Sequence, residues 1–293
     1  MNKRNYWLVV LSVALALAAL VALTACTPEE LEIWAEAHSP SESAIATRNA
    51  SFPVSAAPAV VEAVSSNGTI NIRGVEGAEQ VSVTATLHSR GDTLEEANDR
   101  VGRIIIHMTE TLGRVTLRYD ASEQAEDVRR YSGVDFQVIV PVRADADLTT
   151  SNGRIEAAGI VGSLTVYTSN GQIAVTGCQG EFHLDTSNGE IRMEDVEATV
   201  DAETSNGAIR FQGHLLPGTH RMRTSNGAIQ VTIPRDMALL INADTSTGSI
   251  RSSLPLVGDT GGKSWSALLN PPITSTLTLK TSNGTISIDG LPQ

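Results

Sequence analysis

The chain has 293 residues with 21 basic and 33 acidic side chains, a formal net charge of -12, and only 4% aromatic residues. That balance excludes nucleic acid as a partner, since replacing phosphate counterions needs basic patches, and the scarcity of aromatics argues against a wide globular core. Small, β-branched and glycine residues suit thin, narrow coils instead.

The N-terminus reads as a processing signal. Lys3 and Arg4 precede an apolar stretch from Leu8 to Leu23, 16 residues broken only by Ser12, which closes on Leu23-Thr24-Ala25-Cys26. A membrane span normally wants about 20 apolar residues, so cleavage is the better reading. The ending resembles a bacterial lipobox, in which Cys26 becomes the lipid-bearing N-terminus. Residues 1–25 are then a lipoprotein leader. Residues 26–55, with Pro28, Pro40 and Pro53 among serines and alanines, read as a flexible tether to the membrane. The localisation expected is extracytoplasmic, in the cell envelope.

Residues 56–146 form a β-rich start. Ile70 and Ile72 follow a Ser-Ser-Asn-Gly phrase at Ser65, and Val81, Val83, Ala85 and Leu87 alternate as in a half-buried strand. Asp92 and Glu95 stand at capping-box spacing before a helix expected from about Thr93 to Val101. Strands are expected over Ile104 to Met108, Val115 to Tyr119 and Phe136 to Val140. An open solenoid end exposes unpaired backbone groups, so this segment is expected to cap an array.

That array occupies residues 147–293. The phrase Thr-Ser-Asn-Gly begins at Thr150, Thr168, Thr186, Thr204, Thr224 and Thr281, with Thr-Ser-Thr-Gly at Thr245. The first steps are 18 residues each, the next are 20 and 21, and the last is 36, about twice the period. Such a period means stacked coils. Aligned copies give apolar columns: Ile155, Ile173 and Ile191; Ala157, Val175 and Met193; Ile160, Cys178 and Val196; Leu164, Phe182 and Val200; Val166, Leu184 and Ala202. Period-two alternation on both sides of the phrase makes it a corner between strands. Cys178 therefore faces the core as a small hydrophobe.

The turn residues are Asn152, Gly153, Asn170, Gly171, Asn188, Gly189, Asn206, Gly207, Asn226, Gly227, Asn283 and Gly284. Glycine is expected to supply a positive backbone angle, and asparagines in register are expected to bond from coil to coil. Residues 252–274, rich in glycine and proline and holding Trp265, read as an inserted loop or a coil that has lost its phrase. Trp265 is expected to cover the end or side of the solenoid.

An early Ser-Asn-Gly strand, an irregular middle and repeated Leu-x-Val-x-Thr-Ser-Asn-Gly-x-Ile-x-Val units resemble the bacterial "putative adhesin" β-strand repeat domain of unknown function. The units here are Leu164 to Val175, Phe182 to Met193, Val200 to Phe211 and Leu277 to Ile288. The resemblance covers about residues 60–290. It implies an all-β fold, a single-stranded parallel β-helix displayed outside the cytoplasmic membrane, and it brings no catalytic residues.

Outward positions offer one constellation. Tyr167, His183, Asp185, Asp201 and Glu203 should form a surface patch on adjacent strands. Adjacent carboxylates could hold a cation or raise one another's pKa. The plainer expectation is that Asp201 and Glu203 pair with Arg221 and Arg223 across strands. No metal or cofactor is expected, and phosphate-binding loops, zinc spacings and nucleophile elbows are missing from the sequence. The main functional expectation is a non-enzymatic envelope scaffold or adhesin-like protein, anchored by lipid and meeting an envelope protein or glycan. A carbohydrate-active β-helix using the acidic patch, and an envelope-sensing accessory to a membrane partner, are the alternatives. The oligomeric state is open.

Overall fold

The computed structural model describes residues 41–54 and 57–291; the leader, Cys26 and the first part of the expected tether lie outside them. In chain order the strands are β1 Glu42–Pro53, β2 Ala59–Ser65, β3 Ile70–Val75, β4 Gln80–Gly91, β5 His107–Thr111, β6 Arg114–Tyr119, β7 Ser132–Pro141 and β8 Ala144–Thr150. Then come β9 Ile155–Ala158, β10 Val161–Thr168, β11 Ile173–Thr176, β12 Gln179–Thr186, β13 Ile191–Thr204, β14 Ile209–Leu215 and β15 Thr219–Asn226. The last are β16 Ile229–Ile233, β17 Leu239–Thr245, β18 Ile250–Ser252, β19 Val257–Asp259, β20 Ser264–Leu269, β21 Ser275–Asn283 and β22 Ile286–Gly290. Helices α1 (Leu94–Arg103) and α2 (Glu126–Tyr131) complete the fold.

A regular coil follows from its own alternation. In β10, Leu164, Val166 and Thr168 point inward between exposed Ser163, Thr165 and Tyr167. The chain turns at Ser169-Asn170-Gly171, runs back along β11 with Ile173 and Val175 inward, and turns again at Gly177. Gly159, Gly177 and Asp195 hold this second corner in the left-handed region, at φ 65, 60 and 53. All five apolar columns expected from the alignment are buried, and parallel registers place each member of four of them beside the next, the column of Ile160, Cys178 and Val196 lying at the second corner between the paired strands.

The phrase corner is built from two ladders. Asn Nδ2 donates to the Asn Oδ1 of the neighbouring coil through Asn67, Asn152, Asn170, Asn188, Asn206, Asn226 and Asn283, at 2.8–3.0 Å. Beneath it, the buried hydroxyls of Thr150, Thr168, Thr186, Thr204, Thr224, Thr281 and Thr245 donate to a neighbouring glycine carbonyl at 2.9–3.1 Å. The glycine explanation changes. The phrase glycines from Gly153 onward do not take positive φ. A Cβ on Gly171, Gly189 or Gly207 would instead overlap the glycine carbonyl of the preceding coil. Close coil-to-coil approach, rather than backbone freedom, selects glycine there.

Stack order departs from chain order at both ends. On one face the parallel strands run β6, β2, β8, β10, β12, β13, β15, β21, β17. On the other they run β7, β3, β9, β11, β13, β14, β16, β22, β18. The first coil, β2–β3, sits inboard of β6 and β7. The last coil, β21–β22, sits between the two coils that precede it in sequence. Both ladders record this, since Asn283 bonds Asn226 while Thr247 donates to Asn283, and Thr281 donates to the Gly227 carbonyl while Thr245 donates to that of Gly284.

Antiparallel strands finish the ends. At one end β5 pairs with β6, β4 with β7, and β1 with β4. At the other, β20 pairs with β17 and β19 with β20. Two expectations are corrected here. The tether does not reach residue 55, because Glu42–Pro53 is a strand paired with β4 along its length. Ala44 is buried, and Ala46, Ala50 and Phe52 pack on the core from the same side, so a linker-like composition conceals a period-two face. Likewise residues 252–274 hold the β19–β20 hairpin, whose Ala267 and Leu269 are buried.

Helix α1 matches its expected place, with the cap one residue along. Thr93 Oγ1 accepts from Glu96 N at 3.2 Å, and Glu96 Oε2 accepts from Asp92 N at 2.9 Å. The second helix, α2, was not foreseen; it is too short to show a periodic pattern. No helix among the described residues is long and apolar enough to cross a membrane.

Candidate functional face

Strands β10, β12 and β13 bring Tyr167, His183, Asp185, Asp201 and Glu203 together on one flat face. The register sets Tyr167 beside Asp185, Asp185 beside Glu203, and His183 beside Asp201. His183 Nδ1 lies 3.9 Å from Asp201 Oδ2. Burial raises the Asp185 pKa, and Glu203 and Asp201 add to the rise while His183 opposes it. The expected cross-strand ion pairs do not form. Asp201 stands in register with Arg221 and Glu203 with Arg223, yet among the described residues no carboxylate comes within 4.0 Å of Arg221, Arg223 or Lys280. Long side chains rising from a flat sheet gain little by closing such a contact in water. Among the described residues there is also no group of three His, Cys, Asp or Glu placed to hold a metal ion.

The opposite face is differently organised. Ala158, Ala174 and Thr176 floor a shallow polar depression. Its arginines already have partners, Arg154 with Glu156 at 2.8 Å and Arg192 with Glu194.

Cys178 and His220 are titratable groups that lie inside the regular coils. Cys178 is buried, with its thiol pushed up by desolvation, which suppresses the reactive thiolate. His220, one of six histidines that look scattered in the sequence, occupies the inward column beside Val200 and Leu277. Its 20-residue coil carries extra residues at Leu216-Pro217-Gly218, and the ring occupies the resulting space. Val200 N donates to Nδ1 at 3.3 Å, and Nε2 lies 2.9 Å from the Leu216 carbonyl. The neutral tautomer with its proton on Nε2 satisfies both. Only the unusual length of this coil could have marked it in the sequence.

Burial lowers the His220 pKa below the ordinary 6.5. The unfolded chain therefore takes up a proton first as pH falls. The stability His220 supports is present above about pH 6.5 and drains away as pH falls through the folded pKa, at up to about 1.4 kcal/mol per pH unit. Urea midpoints of wild type and His220→Gln between pH 7.5 and 5 test this. The variant is expected to lose less on acidification, and parallel curves would contradict the assignment.

Trp265, on β20 opposite Ala243, is half-buried against the core, as expected of a side cover.

These features define a parallel β-solenoid with flat, polar outer faces and sequence-encoded corner ladders. Residues 132–289 match the Toastrack DUF4097 family, more than half of the chain, and the protein belongs to that family. Among solved structures it is similar to a "putative adhesin" from Bacteroides fragilis NCTC 9343, at 14% identity and a TM-score of 0.47, covering 85% of this chain and 98% of that one. It is also similar to a "putative cell adhesion protein" from Clostridium sporogenes ATCC 15579, at 11% identity and a TM-score of 0.37, covering 85% and 100%. A third is a "putative lipid binding protein" from Parabacteroides distasonis ATCC 8503, at 9% identity and a TM-score of 0.33, covering 85% and 97%. No curated protein matches the chain.

Proposed function

We propose that the protein is an exported, lipid-anchored, non-enzymatic scaffold of the cell envelope that displays its flat faces to an envelope protein or glycan. The observation that carries this reading is the pair of corner ladders. They tie successive coils side chain to side chain and side chain to backbone, so that outward residues form fixed columns about 4.8 Å apart. A stiff body with repeating columns suits many weak, simultaneous contacts. The basic start, short apolar stretch and Cys26 supply the route out of the cytoplasm and the anchor.

Fractionation of the producing cell, with wild type and Cys26→Ala compared, tests the anchor. Wild type is expected in the membrane fraction and the variant in the soluble extracytoplasmic fraction. Wild type in the cytosol would overturn the reading. For display, intact protein should retain envelope protein or glycan from its own cell; retention of neither removes that part.

A further inference from the structure

The face bearing Asp185 and Glu203 has an arrangement that a solitary rod has no use for. Its main column reads, in stack order, Tyr167, Asp185, Glu203, Arg223, Lys280, Asp244. Like charges stand side by side twice, Asp185 with Glu203 and Arg223 with Lys280, and like charges directly opposite each other destabilise a sheet. Alternating them would have relieved both contacts. The neighbouring column repeats the division, with His183 and Asp201 on the acidic side and Arg221, Thr278 and Asn242 beyond it. The three cations have no carboxylate within 4.0 Å among the described residues. Glu203, Arg221 and Lys280 are exposed.

The boundary between acid and base falls between β13 and β15, and the pattern is complementary to itself. Consider a two-fold axis lying along the strands midway between them. It reverses stack order while keeping position along each strand. Glu203 then faces Arg223 of a second copy and Asp201 faces Arg221. Asp185 faces Lys280, and the Tyr167 hydroxyl faces the Asp244 carboxylate. Each contact occurs twice, as an isologous interface requires. Packed sheets lie about 10 Å apart, a gap these long side chains can span. The six strands from β10 to β17 that meet their images offer a face of about 29 Å by 20 Å, or about 1,150 Å² over two copies, above the roughly 1,000 Å² that a specific interface should clear.

We infer that this face is a homodimer interface whose occupant is a second copy of the chain, packed face to face about that two-fold axis. The inference stands apart from the display reading, since a dimer can form whatever the envelope ligand is.

Charge-swap pairing of the full-length chain decides it. Differently tagged copies are co-expressed, and co-purification is quantified at about 0.15 M salt, where surface charges still act over about 8 Å. Wild-type copies are expected to co-purify. Asp201→Lys/Glu203→Lys copies should fail to associate with one another, as should Arg221→Glu/Arg223→Glu copies, each with at least a 10-fold drop. Mixing the two variants should restore capture, because every contact is again opposite in sign. Restoration also shows that both variants fold. Absence of wild-type association, persistence of either variant's self-association, or failure of the mixed pair when both variants keep wild-type circular dichroism would each overturn the interface.

Discussion

Gly189→Ala is expected to cost about 1–3 kcal/mol or more, the range for forcing extra atoms into a packed interior, although it adds one methyl group at the surface end of a corner. The added Cβ meets the Gly171 carbonyl of the coil below well inside van der Waals contact. Both partners are backbone, so no rotamer relieves the clash, and the coils must separate. Separation also strains the bonds from Thr186 Oγ1 to the Gly171 carbonyl and from Asn188 to Asn170. Gly177 provides the contrast. It takes φ 60, and nothing lies within 4 Å of a Cβ built there. Asp195 already occupies the same corner one coil on, at φ 53. Gly177→Asn should therefore cost at most about 1 kcal/mol, since asparagine tolerates this region better than most residues. Urea midpoints rank the two; a Gly177→Asn loss exceeding that of Gly189→Ala would reverse the assignment of which glycine is steric and which conformational.

Phe182→Ala should cost more, about 3–5 kcal/mol. Phe182 is 1% exposed and stacks between Leu164 and Val200 in the narrow interior. Cavities cost most where their walls cannot move in. Here backbone ladders fix the spacing of neighbouring coils, and the corner ladders fix it again. In a stack where each repeat touches only its neighbours, a weakened interface also uncouples the two sides. The unfolding transition should therefore broaden, with a lower dependence on urea, as well as shift. A small shift with unchanged steepness would show that the coils close around the missing ring.

Much of the coil was legible because its rules are local. Alternation identified the inward columns from Ile155 to Ala202, and recurrence of Asn152, Asn170 and Asn188 announced their ladder. Those residues repeat because each meets its counterpart in the next coil. Stack order was hidden for the same reason, since every copy presents the same corner and sequence alone does not say which copy it meets. Thr-Ser-Thr-Gly at Thr245 is in sequence a degenerate copy within the array. In space it is the last rung, where Thr247 donates its hydroxyl to Asn283 Oδ1 and no further phrase follows. The patch around Asp185 was legible as columns. Its relation to Lys280 was not, because Lys280 reaches Arg223 only through the inserted final coil. Segment β1 was masked by a serine- and alanine-rich composition that ordinarily marks linkers.

The inboard placement of the last coil has a consequence for synthesis. Chains emerge from the ribosome N-terminus first, and the middle coils from β8 to β16 can stack as they appear. Strand β17 follows, yet its parallel neighbour is β21, which is made later. Until Ser275–Gly290 has emerged, the growing body ends on the unpaired parallel edges of β15 and β16. A chain that stops before Ser275 keeps those edges open, whereas one that reaches Gly290 closes them with β21 and β22. The fold thus makes closure of its sheet wait for Ser275–Gly290, and copies that stop short of it carry the exposed edges by which proteases and chaperones can recognise them.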